Sequence, residues 1–262
     1  MALANLIRKI KPLWLREKLF WHLGTWRANL DPGLFENVRL EFVPNVRLAL
    51  KPSDIGHRQI AVLGYMERDL TLLMNSIAAR GGLLMDVGAN YGYFTCLWAG
   101  ANKANRVVAF EASPRNMAAL QRNVEQNGFQ SQVTVVPEAA GKAAGKMHFS
   151  MGPEEQTGWG GLSAAQGKDD IEVEVTSLDD YCSQNGISEI NVLKIDTEGA
   201  DTWVIEGAAR LLREKRIKHI FFEENPSRMQ QLGIQPHEAP TLLRAAGYHL
   251  EKMGHTEWHA SV

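Results

Sequence analysis

Residues 83–95, LLMDVGANYGYFT, constrain the chain more than any other stretch. Leu83 to Val87 is an apolar run of strand length that carries a carboxylate, Asp86, near its end. Gly88 and Gly92 bracket Asn90 and helix-compatible residues follow, so the spacing predicts a strand, a tight turn and a helix start near Tyr91. Glycine supplies backbone angles closed to other residues and lets a ligand lie against the main chain. The helix start turns free N–H groups into the same space. The chain is therefore read as α/β, with a ligand at the end of this strand.

A second strand, Arg106 to Phe110, runs into Glu111, nineteen residues past Gly92, where a parallel α/β unit sets a carboxylate toward the hydroxyls of a ribose. A nucleoside-containing cofactor is expected. The dinucleotide pattern G-x-G-x-x-G fails because positions 90 and 93 are Asn and Tyr, and no G-x-x-x-x-G-K-[ST] occurs. The turn that is present, D-x-G-x-x-x-G, suits a ligand with an amino-acid end and no phosphate, the shape of S-adenosylmethionine (SAM).

Composition sets the remaining bounds. A chain of 262 residues with 45% hydrophobic and 22% charged content can bury the core of one soluble α/β domain with an extension. A net charge of −2 predicts no general attraction to nucleic acid. Cys96 and Cys182 make neither a disulfide framework nor a Cys/His cluster, so zinc is not expected and a reducing, cytoplasmic setting is. The apolar runs are too short to span a bilayer, and no secretion signal is read.

Residues 1–60 are read as an N-terminal helical and hairpin extension and 61–262 as the cofactor-binding domain. In the first part Leu15, Leu19, Leu23 and Trp26, with Phe20, make an apolar stripe, while Arg8, Lys9, Lys11, Arg16, Lys18 and Arg27 oppose only Glu17. Packing on the domain or in a homo-oligomer is expected, with contact to an anionic membrane surface as the alternative. Val38 to Phe42 and Val46 to Leu50 read as a hairpin, Ser53 or Asp54 as the cap of a short helix, and Glu67 to Ala79 as a longer one. His57, Tyr65 and Glu67 lie just ahead of the glycine turn. Further on come a helix from Pro114 to Asn127-Gly128, strands at Gln132–Val136 and Ile171–Thr176, and a turn at Lys142–Gly145. Between the turn and the second of these strands, residues 152–170 form a glycine-rich, mobile segment carrying Trp159, either a lid over substrate or a surface loop. Strand Ile190–Ile195 runs into Asp196-Thr197-Glu198-Gly199, and after a helix over 200–212 strand Ile217–Phe222 runs into Glu223-Glu224-Asn225.

With DVGANYGYFT, VVAFEASPRNMAALQRNVEQNG, VTSLDDY and LKIDTEGAD in order, the sequence resembles the FkbM family of SAM-dependent methyltransferases over roughly residues 60–250. The resemblance implies a class I methyltransferase (Rossmann-like) fold, with a seven-stranded mostly parallel sheet, helices on both faces and a reversed last hairpin. It also implies O-methylation, with a small-molecule, natural-product or glycan hydroxyl as acceptor. The rivals are a nicotinamide-dependent oxidoreductase and a non-catalytic partner subunit of the same fold.

Site residues follow from the resemblance and the strand ends together. Asp86, Gly88, Asn90 and Gly92 are expected at the methionine portion, Glu111 with the adjoining Ala112 at the ribose, and Glu138 with Ala139 at the adenine edge. Asp196 is expected beside the reactive sulfonium, and Tyr65 and Glu67 are candidates for closing over the cofactor. Asp196, Glu198 or His57 is the candidate base for the hydroxyl proton, and Lys194 either holds the acceptor or pairs with a carboxylate. Asp196, Glu224 and Asn225 also form a candidate Mg²⁺ site, similar to the Asp, Asp, Asn site of the catechol-type O-methyltransferases. Those enzymes place a Lys three residues after the first Asp, where this chain has Gly199.

Overall fold

The structure, a computed structural model, describes residues 6–22, 29–168 and 170–262. Strands β1 (Val38–Arg39) and β2 (Arg47–Leu48) form the expected hairpin in shortened form. The main sheet is built from β3 (Leu83–Val87), β4 (Arg106–Phe110) and β5 (Val133–Val136), then β10 (Ile190–Ile195), β11 (Ile217–Glu223), β12 (His249–Lys252) and β13 (Glu257–Ser261). Its order is β12-β13-β11-β10-β3-β4-β5, parallel from β5 to β11, with β13 antiparallel to β11 and β12 antiparallel to β13. This is the class I methyltransferase arrangement.

β3 and β10 lie at the centre and read as continuous apolar runs because helices cover both faces. One core gathers Phe20, Tyr65, Met74, Trp98 and Leu120, a second Met85, Phe110, Leu193, Ile205 and Leu211, and a smaller third Phe149, Leu162, Val173 and Val175. The chain adds β4 and β5 on one side of β3 and β10 and β11 on the other, so the crevice at a topological switch point opens at the ends of β3 and β10. Asp86, Glu111, Asp196 and Glu223 all sit at that edge.

A second sheet, β6 (Ala139–Ala140), β7 (Gly145–Ser150), β8 (Gly161–Ser163) and β9 (Ile171–Thr176), is inserted before β10 in the order β6-β9-β7-β8. The turn at 142–145 joins β6 to β7, but each pairs with β9 and not with the other. The helix expected over 200–212 is two helices, Asp201–Glu206 and Ala209–Arg213. Gly207 lies between them, where a Cβ would come 2.0 Å from the Gly141 carbonyl.

In the N-terminal helix Leu13–His22 the buried residues are Arg16 and Phe20; of the predicted stripe Phe20 is buried and Leu15 and Leu19 are half-buried, while Leu23, Trp26 and Arg27 lie outside the described residues. The Arg16 guanidinium turns inward because backbone acceptors await it. It donates to the Leu63, Arg8 and Ile10 carbonyls and pairs with Glu41 at 3.0 Å. Among the described residues no helix is long and apolar enough to cross a membrane.

Candidate active site

The glycine turn has left-handed backbone at Gly88 (φ 80°), Asn90 (φ 50°) and Gly92 (φ 83°). The glycines make room for the protein's own atoms: a Cβ on Gly88 would lie 2.0 Å from the Asp196 carbonyl oxygen, and one on Gly92 2.5 Å from Leu120 Cδ1. The turn thus holds the end of β10 against the end of β3, and the Asp196 amide donates to the Val87 carbonyl at 2.9 Å.

Asp86 is 1% exposed. Its Oδ2 accepts from Thr95 Oγ1 at 2.6 Å, while Oδ1 has no hydrogen-bond partner. Lys194 Nζ stands 4.0 Å from Oδ1, too far to bond it, and donates instead to Asp196 Oδ2 at 3.1 Å, with the Phe94 ring beneath it. Burial pushes the Asp86 carboxyl up. Burial alone would lower the Lys194 ammonium, but Asp196, Asp86 and Glu67 outweigh it and hold it above its ordinary value.

Glu111 is held by two backbone amides, Asn90 N–H to Oε2 at 2.7 Å and Ser113 N–H to Oε1 at 2.8 Å, yet burial pushes its carboxyl up to about 7. It lines a narrow cavity of about 60 Å³ with Ala112, Glu138, Ala139 and the segment from Thr157 to Leu162. That segment is anchored: Asp54, which caps the helix Ile55–Leu63, accepts from the Thr157 amide at 2.7 Å and its hydroxyl at 3.0 Å. Asn116 donates to the Thr157 carbonyl at 3.0 Å. Trp159 beside it is 53% exposed.

Two larger cavities adjoin. One, of about 310 Å³, is walled by Asp86, Gly88, Asn90, His57, Trp159 and Glu198; the other, of about 350 Å³, lies between Glu67–Leu70 and the β11–β13 edge. Lys194, Glu67, Glu223 and Asp196 border both, and Asp196 borders the narrow cavity as well. Glu198, in a left-handed conformation (φ 55°), is pushed up to about 7 by burial and by the Asp196 and Glu223 carboxylates.

Four expectations need correction. Tyr65 does not reach these cavities: it is fully buried, its hydroxyl donates to the Leu13 carbonyl at 3.4 Å, and it packs on Phe42, in the seam under the N-terminal helix. His57 does line the cavity wall, but its Nδ1 accepts the Lys51 amide at 3.1 Å and burial lowers its pKa. The neutral ring therefore carries its proton on Nε2 and presents a donor, not a base. Asp196, Glu224 and Asn225 do not converge on a cation. Glu224 Oε1 accepts the His237 amide at 2.6 Å and Oε2 the Trp258 indole N–H at 2.9 Å, while Asn225 caps the helix Pro226–Leu232 and donates to Glu198 at 3.2 Å. Glu223, one residue earlier, takes the cavity position. The glycine-rich segment, read as mobile, is pinned at Thr157.

Activity is expected to survive exhaustive EDTA treatment in full. Glu224→Gln should keep that activity but cost about 1–3 kcal/mol in a denaturation curve, because its NH₂ would face the His237 or Trp258 N–H. Activity lost to EDTA and restored by Mg²⁺ would overturn this.

Asp201 was not singled out in the sequence. It is buried, accepts from the Thr197 amide and hydroxyl and from the Glu223 amide at 2.9 Å, and so ties the ends of β10 and β11 together. Asn116 was missed too; its buried Oδ1 has no partner and it lines the narrow cavity. The signal for Asn116 is its place in the first turn of a helix that follows a strand-end carboxylate.

Residues 86–250 match the methyltransferase FkbM domain. The chain belongs to the FkbM methyltransferase family. As a methyltransferase it is an enzyme, which sets the nicotinamide-dependent alternative aside. It is 26% identical to the hexuronic acid methyltransferase AglP of Haloferax volcanii over 182 residues, 69% of each chain. Among solved structures it is similar to a methyltransferase FkbM from Methylobacillus flagellatus (13% identity, TM-score 0.46), covering 93% of this chain and 60% of that one, so it spans about three fifths of that protein's length. A precorrin-6y C5,15-methyltransferase from Geobacter metallireducens is similar at 12% identity and TM-score 0.43, over 76% of this chain and 90% of the other.

Proposed function

We propose that this FkbM-family enzyme transfers the methyl group of SAM to a hydroxyl oxygen of a sugar or sugar-bearing acceptor. The observation that carries the reading is Asp86 Oδ1, buried at the end of the strand that leads into the Gly88 turn and without a hydrogen-bond partner, the Lys194 ammonium standing 4.0 Å away. A buried carboxylate oxygen in that state calls for a cationic donor, and the ammonium of an amino-acid end is one. Glu111 then accepts from the ribose hydroxyls, and Ala112, Asn116, Glu138 and Ala139 border the adenine. The sugar acceptor is supported by the hexuronic acid methyltransferase relative.

SAM supplies an electrophilic methyl group on a sulfonium, so the protein's task is alignment and removal of the hydroxyl proton. Asp196 borders all three cavities and is given the task of holding the acceptor hydroxyl and taking its proton, with Lys194 fixing the carboxylate. Glu198 and Glu67 line the 310 Å³ cavity with Asp196 and add negative charge around the site.

The Glu111 assignment has a pH signature. Ribose hydroxyls donate to the ionised carboxylate, so binding favours deprotonation, and affinity is lost as pH falls through the free-protein value of about 7. Calorimetry should show SAM affinity dropping by up to about tenfold per pH unit below that point, and Glu111→Gln should bind more weakly at high pH with that slope removed. The same slope in both proteins would refute the ribose assignment. Transfer of labelled methyl to a panel of sugar hydroxyls tests the reaction itself.

A further inference from the structure

We propose that the acceptor enters the 350 Å³ cavity and carries no negative charge beside its reacting hydroxyl, so that neutral and amine-bearing sugars are taken and uronic acids are refused. This rests on the methyl-transfer reading and narrows its substrate class. The 350 Å³ cavity is walled by six carboxylates, Glu17, Glu67, Asp69, Asp196, Glu223 and Glu257. Among the described residues only two cations line it, Arg68 and Lys194, and both are engaged. Arg68 pairs with Glu17 and Asp69 at 3.0 Å each, and Lys194 with Asp196 at 3.1 Å. The nearby Arg228 lines a neighbouring groove and donates to the Trp159 carbonyl.

Two further observations bear on the same cavity. Glu223 and Glu257 stand directly opposite each other on the antiparallel pair β11–β13, an arrangement that costs stability where nothing is gained from it. The protein's own groups feel the crowding: enclosure, with Asp196, Glu223 and Glu257 nearby, pushes Glu67 up to about 7 despite an offset from Lys194. Leu70, Phe221 and Met253 add an apolar wall suited to the C–H face of a sugar ring. A ligand carboxylate placed there would lose its water and meet like charge with no free cation, whereas a hydroxyl or ammonium finds acceptors. The hexuronic acid in the relative's name therefore does not pass to this chain.

The test measures labelled methyl transfer to three matched methyl glycosides: a hexose, a 2-amino-2-deoxyhexose and a hexuronic acid. The expected rates for the hexose and the amino sugar exceed that for the uronide by on the order of a hundredfold. Glu257→Lys, at an exposed position on β13, should raise the uronide rate by about tenfold. A uronide used as well as the hexose, an unchanged uronide rate in Glu257→Lys, or no transfer to either uncharged or amino sugar by SAM-bound protein would overturn the proposal. Calorimetry with SAM alone separates this from the cofactor reading: absence of binding there defeats the methyl-transfer reading itself.

Discussion

Asp196→Asn is expected to lower kcat by about 10²–10⁴-fold while SAM affinity, read by calorimetry, stays nearly unchanged. The substitution keeps the size of the side chain and the position of its main chain, so the bond from the Asp196 amide to Val87 and the contact with Gly88 remain. What it removes is the negative charge of a residue that borders all three cavities and whose Oδ2 accepts from Lys194. The Lys194 ammonium then keeps Asp86 and Glu67 as its nearby carboxylates, so it does not become an uncompensated buried charge. A loss confined to kcat would mark a group that acts in the transition state, whereas a variant with ordinary turnover would defeat the assignment of Asp196 as proton acceptor. If turnover failed together with SAM binding, Asp196 would instead belong to the cofactor wall.

Gly88→Ala is expected to cost roughly 3 kcal/mol of stability and most of the activity. Two penalties add. The left-handed backbone at φ 80° costs an L-residue about 1 kcal/mol, and the new methyl must push back a backbone oxygen it would otherwise meet at 2.0 Å, an overpacking of about 1–3 kcal/mol. That oxygen belongs to Asp196, so any relaxation moves the proposed proton acceptor. Gly128→Ala is the control: its φ is 71°, but the added Cβ meets nothing within 4 Å. It should lose only the backbone share, about 1 kcal/mol, with activity intact. Equal losses in the two variants, measured by denaturant unfolding, would show that the contact with Asp196 is unimportant.

Gly88→Ala turns on a contact between residues more than a hundred positions apart, and the same divide separates what is legible in the sequence from what is not. Strand-length apolar runs, the glycines of the turn and the carboxylates that close each run are local patterns. They were enough for β3, β4, β10 and β11, for the side of the sheet that bears the site, and for placing Asp86, Glu111 and Asp196 on one edge. A buried parallel strand must be apolar on both faces and must end where backbone polar groups meet water or ligand, so its sequence carries its own boundaries. The family resemblance rests on these same blocks.

The errors arose where orientation depends on partners that only folding supplies. Glu223 and Glu224 are adjacent carboxylates at a strand end, and nothing local distinguishes them; the pleat sends one into the cavity and the other to His237 and Trp258. Tyr65 and Glu67 are two residues apart, yet the N-terminal helix draws Tyr65 into its seam and leaves Glu67 on the cavity. The Lys51 amide decides which proton His57 carries, and Asp54 pins Thr157 across 103 positions. Hydrophobic periodicity and turn chemistry are properties of neighbouring residues, and therefore determine the sheet and its functional edge from the sequence alone. A buried polar group takes its direction from whichever donor or acceptor the packed core brings within hydrogen-bond reach, and that choice belongs to the tertiary structure.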